Sequence, residues 1–181
     1  INAALTGHLV LSTVHTNDAL TTIPRLTDLG APPFLIAQTT LMISAQRLVR
    51  KICAHCLVSF TISRAMAKDL EALFDVKVLL KTLAREGVIT DKNASSFEGM
   101  RFLRGAGCSM CSSEGYRGRI AIHEILEINE KLAALIHSRA KVEDLKAAAR
   151  EQGMVTLLED AFIKAKQGLT TIEEILRVAN E

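Results

Sequence analysis

Tryptophan is absent from this chain and tyrosine occurs once. That scarcity removes the stacked aromatic platform on which single-stranded nucleic acids are held. An excess of one charge is also lacking. Twenty-two basic and 20 acidic side chains leave a net charge of +2, which is not the footprint of a strong nucleic-acid binder. No apolar run reaches the ~18 residues of a spanning helix, so none is expected. No basic leader opens the chain, which begins Ile1-Asn2-Ala3-Ala4-Leu5 without methionine. The expectation is a piece of a longer protein that works in the cytosol. Internal repeats and low-complexity tracts are missing too.

Cysteine is sparse but ordered. The four cysteines form two pairs, Cys53-Ala54-His55-Cys56 and Cys108-Ser109-Met110-Cys111, with none left over. Two Cys-x-x-Cys pairs about fifty residues apart supply the S4 donor set that Zn2+ takes in closed structural sites. The competing readings are disulfides, redox dithiols and inert thiols. A redox motif needs one reactive pair at a helix start rather than two matched pairs. Disulfide scaffolds are short and cysteine-dense, and this chain of 181 residues is neither. His55 lies between two cysteines, but four thiolates complete the shell, so solvent is its expected surrounding. Such a site has no open position for water and is structural rather than catalytic.

An apolar content of 49% is ample for a core, in one domain or two small ones. Residues 9–14, Leu-Val-Leu-Ser-Thr-Val, predict a buried strand of a parallel sheet with ligand-facing residues at its carboxyl end. Thr16, Asn17 or Asp18 should cap a helix that stops at Gly30, and Pro24 makes that helix kink or start late. Pro32-Pro33 opens a helix whose apolar face runs from Phe34 through Ile43 and Ala45 to Leu48. Helical periodicity covers residues 63–86, and residues 100–104 alternate as a strand. Ile120-Ala121-Ile122 reads as a short strand. Helices follow around Leu132–Ile136, Val142–Ala149 and Leu157–Phe162. A last helix is capped by Thr171, with Glu174 completing a capping box. Glycines at 105, 107 and 115 flank the second pair, where tight turns let backbone N–H groups reach sulfur.

Several blocks together resemble the secretion ATPase superfamily, whose members power type II secretion and type IV pilus assembly. Thr6-Gly7-His8-Leu9-Val10-Leu11-Ser12-Thr13-Val14-His15-Thr16-Asn17-Asp18 looks like its histidine box. Gly30-Ala31-Pro32-Pro33-Phe34-Leu35 and Ala45-Gln46-Arg47-Leu48 match later segments, as does Gly115-Tyr116-Arg117-Gly118-Arg119 with Glu124. The blocks Ala148-Ala149-Arg150-Glu151-Gln152-Gly153-Met154 and Leu169-Thr170-Thr171-Ile172-Glu173-Glu174 resemble the closing helices. The tetracysteine insertion marks the secretion and pilus-extension branches. The match spans nearly all of the chain outside residues 58–97. The family's Walker A loop, acidic box and Walker B carboxylates are not in this sequence, and Glu114 stands where relatives often carry a small polar residue.

The resemblance implies an α/β fold: the C-terminal part of a RecA-like P-loop ATPase domain with a parallel sheet, a tetracysteine zinc subdomain and an all-α tail. The implied division is 1–52 for the core, 53–119 for the zinc subdomain with its helical insert, and 120–181 for the helical subdomain. It further implies a cytoplasmic homo-hexamer at the inner face of the membrane. The parent would hydrolyse ATP with Mg2+ and engage an inner-membrane platform protein, while this stretch by itself would be inactive. His15 would sense the γ-phosphate. His8 would pack or touch a neighbouring subunit. Arg47 and Arg50 would lie near nucleotide or a neighbour, or be solvated charges. Arg117 and Arg119 would be solvated or meet an acidic surface, and His123 and Glu124 would orient a junction. Cys53, Cys56, Cys108 and Cys111 would hold the zinc. A stand-alone zinc-binding interaction module is the alternative function, and a zinc-ribbon nucleic-acid binder is disfavoured by charge and aromatic content.

Overall fold

The computed structural model describes residues 1–91 and 94–179. Residues 92, 93, 180 and 181, which fall within the predicted insert and helical tail, lie outside the description. Nine helices and four strands are present among the described residues: α1 (Asn2–Leu5), α2 (Thr22–Asp28), α3 (Pro33–Thr39), β1 (Met42–Ile52), β2 (Leu57–Thr61), α4 (Arg64–Leu73), α5 (Val76–Arg85), β3 (Arg101–Gly105), β4 (Tyr116–Glu127), α6 (Glu130–His137), α7 (Val142–Glu151), α8 (Leu157–Lys166) and α9 (Ile172–Ala179). β1 pairs with β4 and β2 with β3, as two-stranded sheets. The chain divides into two compact units, each made from two stretches.

The first unit comprises Ile1–Gln46 and His123–Thr156. Its core gathers Leu20 and Ile23, Ile36 of α3, Leu126 of β4, Leu132 and Ile136 of α6, and Leu145 and Ala149 of α7. The helix after the histidine box starts late. The Asp18 carboxylate accepts the Thr21 N–H at 2.7 Å, helix begins at Thr22, and Pro24 falls in the first turn, where a missing N–H costs nothing. Glu124 is buried and accepts the Ala19 N–H at 2.8 Å, so its side chain fixes the segment that leads into α2.

Two expectations for this stretch are corrected. Residues 8–16 carry no helix or strand, and Leu9 and Leu11 are 82% and 90% exposed. A strand needs a neighbour to satisfy its backbone, and among the described residues none pairs with this segment. The helix opened by Pro33 ends at Thr39 rather than continuing to Leu48. From Met42 the burial alternates: Ile43, Ala45, Arg47 and Val49 turn inward, and the residues between them outward. That period of two is a strand's, and it wins because pairing with β4 satisfies the backbone.

The second unit comprises Arg47–Ile122 and Leu157–Glu181. β2 and β3 are antiparallel, from Leu57 opposite Gly105 to Thr61 opposite Arg101. The periodic stretch between them is two helices. Ser63 caps α4 by accepting the Met66 N–H at 3.3 Å, and Asp75 caps α5 through the Val78 N–H at 3.2 Å. Leu70, Leu79, Leu80 and Leu83 face inward. Phe162 of α8 anchors the packing. It stacks on Phe97 with centroids 5.4 Å apart and meets Phe74 edge-on at 5.3 Å. The buried Glu159 carboxylate accepts the Thr82 hydroxyl at 2.9 Å.

The tail is stitched to β1. Ile52 donates its N–H to Leu169 O at 3.0 Å, and the Thr170 hydroxyl donates to Arg50 O at 2.8 Å. The Glu174 carboxylate accepts both the Arg50 N–H and its Nε–H at 2.7 Å. Here the expected capping box is half realised. The Thr171 hydroxyl accepts the Glu174 N–H at 3.3 Å, but the Glu174 side chain leaves the cap for Arg50. Guanidinium groups from β1 and α9 give the buried carboxylate stronger, charged partners than the cap N–H would. The predicted short strand at Ile120–Ile122 is also longer, running through all of β4.

Candidate metal centre

Both cysteine pairs sit on a short 3-10 turn. Cys53 leaves the end of β1 and is followed by the turn Ala54–Cys56; Cys108 is followed by Ser109–Cys111. In each, the N–H of the second cysteine donates to the carbonyl of the first, at 3.3 and 3.2 Å. Cross-bonds then bring the two turns together. Cys53 N–H donates to Gly115 O at 2.9 Å, and Ala106 N–H donates to Cys56 O at 2.8 Å. The approach is so close that only glycine fits. A Cβ on Gly105 would lie 2.0 Å from Gly115 O, and Gly115 itself has φ +78°.

The result is a sulfur cluster. All four Sγ atoms lie within 4.8 Å of one another. Cys53–Cys108 and Cys56–Cys111 are 3.9 Å apart and Cys108–Cys111 3.7 Å. A tetrahedron with metal–sulfur bonds of ~2.3 Å has edges of about 3.8 Å. The spacings therefore match a Zn2+-sized centre. They exclude the disulfide reading, which requires sulfurs ~2.05 Å apart, and all four cysteines are free. The cluster can hold a metal ion.

Electrostatics around the sulfurs is uneven. Burial pushes the Cys56 thiol up to about 12, and its sulfur neighbours add to the rise. Burial raises Cys111 as well, but the N–H groups of Cys108 at 3.2 Å and Gly115 at 3.3 Å point at its sulfur. They outweigh that cost and bring Cys111 down to about 7. These are the backbone donors expected of a thiolate shell. His55 is exposed between its two cysteines.

The remaining sequence-predicted residues do not join this cluster. His15 is exposed on the irregular segment before α2. His8 is exposed, with Nδ1 3.0 Å from the Thr6 hydroxyl and 3.3 Å from Ala3 O. Arg47 lies on β1 and donates from Nη1 to Val178 O at 3.3 Å. Arg117 and Arg119 are exposed on β4. Sequence reasoning missed Glu174 as the residue that clamps the strand leading into Cys53. Its partner Arg50 is 124 positions away, and no local pattern signals such a pair. It also missed β2, although Leu57-Val58-Ser59-Phe60-Thr61 is rich in strand-favouring residues.

Residues 1–177 match the family described as Type II/IV secretion system protein. The chain is 40% identical over 174 residues to the type IV pilus assembly ATPase PilB of Thermus thermophilus, covering 96% of this chain and 17% of that protein. It is 38% identical to the type IV pilus assembly ATPase TfpB of Acinetobacter baylyi, covering 98% and 27%. It is 37% identical to the type II secretion system ATPase E of Vibrio cholerae, covering 100% and 31%. The chain thus spans less than a third of the length of these relatives. Among the described residues no helix is long and apolar enough to cross a membrane. With a family match running through both cysteine turns and the histidine-box segment, the chain belongs to the type II/IV secretion system protein family.

Proposed function

We propose that this chain is the zinc-bearing C-terminal portion of a motor ATPase that drives type IV pilus assembly or type II secretion. The observation that carries the reading is the sulfur cluster at tetrahedral spacing inside a chain matched to secretion ATPases along nearly its whole length. Cys53, Cys56, Cys108 and Cys111 hold the ion. Zinc bound there supplies cross-linking rather than chemistry, because four thiolates leave no place for a reacting water. The chain's own contribution is positional. The N–H groups of Cys108 and Gly115 stabilise the Cys111 thiolate, and Glu174 holds β1 so that Cys53 faces its partners.

In this reading the phosphate-gripping loop, the Mg2+ ligands and the general base belong to the rest of the protein, so this stretch is inactive by itself. The whole protein is a cytoplasmic hexamer with a RecA-like core. His15 senses the γ-phosphate, Arg47 lies in the nucleotide's vicinity, and His8 meets a neighbouring subunit. The zinc module docks on an inner-membrane platform protein. Metal analysis and ATP hydrolysis of the full-length protein test this. One zinc per chain and Mg2+-dependent hydrolysis are expected, and Cys53→Ser with Cys108→Ser should release the zinc. Full zinc occupancy in that double variant would sink the S4 assignment. A full-length protein without ATPase activity would favour a stand-alone interaction module.

A further inference from the structure

The four sulfurs do not contact one another evenly. Aligned thiol–thiol contacts join Cys53 to Cys108, Cys56 to Cys111 and Cys108 to Cys111. Only one way of pairing all four thiols uses such contacts for both bonds: Cys53 with Cys108, and Cys56 with Cys111. Both bonds run between the two turns. Exposure is uneven as well. Cys53 and Cys111 are buried, whereas Cys56 and Cys108 are half-buried, so solutes reach the cluster through those two.

We propose that the cluster is a site of oxidation by hydroperoxides, and that oxidation locks the two cysteine turns together instead of releasing them. The Cys111 sulfur, toward which the Cys108 and Gly115 N–H groups point, attacks the peroxide O–O bond, becoming a sulfenic acid as the peroxide leaves as alcohol or water. The Cys56 thiol, 3.9 Å away, displaces that hydroxyl as water, forming Cys56–Cys111. A second peroxide oxidises Cys108 in the same way, and Cys53 resolves it to Cys53–Cys108. Two hydroperoxides are reduced, four thiols become two disulfides, and any bound cation is left without ligands. Bonds formed within each turn would leave no link through sulfur between the turns, which would then be joined by the flanking strand pairs and by the backbone bonds Cys53–Gly115 and Cys56–Ala106. Cross-turn bonds replace the metal's cross-link with a covalent one. The pairing rests on sulfur geometry; the coupling to zinc release rests on the functional reading above.

The test treats the full-length protein with hydrogen peroxide, follows zinc with a chromogenic chelator, and maps peptides without reduction. Trypsin cuts after Lys51, Arg64, Arg104 and Arg117, so each cysteine turn lies in its own peptide. Expected are one covalently joined peptide pair lighter by ~4 Da, zinc release in step with it, and a Cys56→Ser/Cys111→Ser variant that still forms Cys53–Cys108. Separate peptides with internal disulfides, sulfinic acids at Cys111 and Cys108, or bonds between molecules would each overturn the lock. Untreated protein without zinc that still gave the joined pair would sink the metal reading and leave the lock standing.

Discussion

Replacing Glu174 with glutamine should loosen the tail from β1 and flatten the acid limb of stability. The Glu174 side chain is fully buried, while Arg50 and Arg177 beside it are 49% and 41% exposed. It accepts the Arg50 N–H and Nε–H at 2.7 Å, and Arg177 Nε and Nη2 at 3.2 and 3.1 Å. Burial alone would raise its pKa. The Arg177 guanidinium, then the Arg50 N–H and guanidinium, reverse this and hold it at about 2, against an ordinary 4.5. A carboxylate whose pKa falls on folding stabilises above its unfolded value and loses that stabilisation as pH drops toward the folded one. The window is therefore from about 4.5 down to about 2. The contribution is on the order of 2 kcal/mol once water screening of the half-exposed guanidinium groups is allowed for. The Glu174→Gln amide also turns a donor toward donors. A loss of about 2–3 kcal/mol at pH 7 is expected. Urea unfolding followed by fluorescence of Tyr116, the single tyrosine, reads this locally, because that ring lies 4.1 Å beneath the Arg50 guanidinium. A variant within ~0.5 kcal/mol of the parent at pH 7, or one that keeps the parent's acid slope, would refute the reasoning.

Three other substitutions probe separate parts of the second unit. Gly105→Ala drives a methyl into Gly115 O, so it should cost about 3 kcal/mol and weaken zinc retention in a chelator competition. Phe162→Ala removes the ring that Phe97 and Phe74 pack against. It should cost about 4 kcal/mol by urea titration, with Phe162→Leu recovering about half of that. Asp75→Ala removes the cap of α5 and should cost about 1 kcal/mol, read as faster amide exchange at Val78 with zinc content unchanged.

Local signals were readable wherever neighbours in sequence are neighbours in space. The pairs at Cys53/Cys56 and Cys108/Cys111 and the α4 and α5 stripes all depend on contacts a few residues apart. The β1 strand was hidden because Ala45-Gln46-Arg47-Leu48 are good helix formers, and only pairing with β4 overrides them. Residues 9–14 show the reverse case: β-branched and apolar side chains suit a strand, but suitability supplies no hydrogen-bond partner. Glu174 illustrates a third limit. Its spacing from Thr171 fits a capping box, and the better donors, the N–H and Nε–H of Arg50, become available only when β1 arrives alongside.

The stitching of residues 169–178 onto β1 bears on how the protein is made. A nascent chain emerges from the ribosome amino end first, so Arg50 and Ile52 are out long before their acceptors at Glu174 and Leu169. During that interval the strand leading into Cys53 lacks its lateral support, and the first cysteine pair must also wait for Cys108 to be translated. Completion of this unit thus waits until residues 169–178 have left the tunnel, well after β1 has done so.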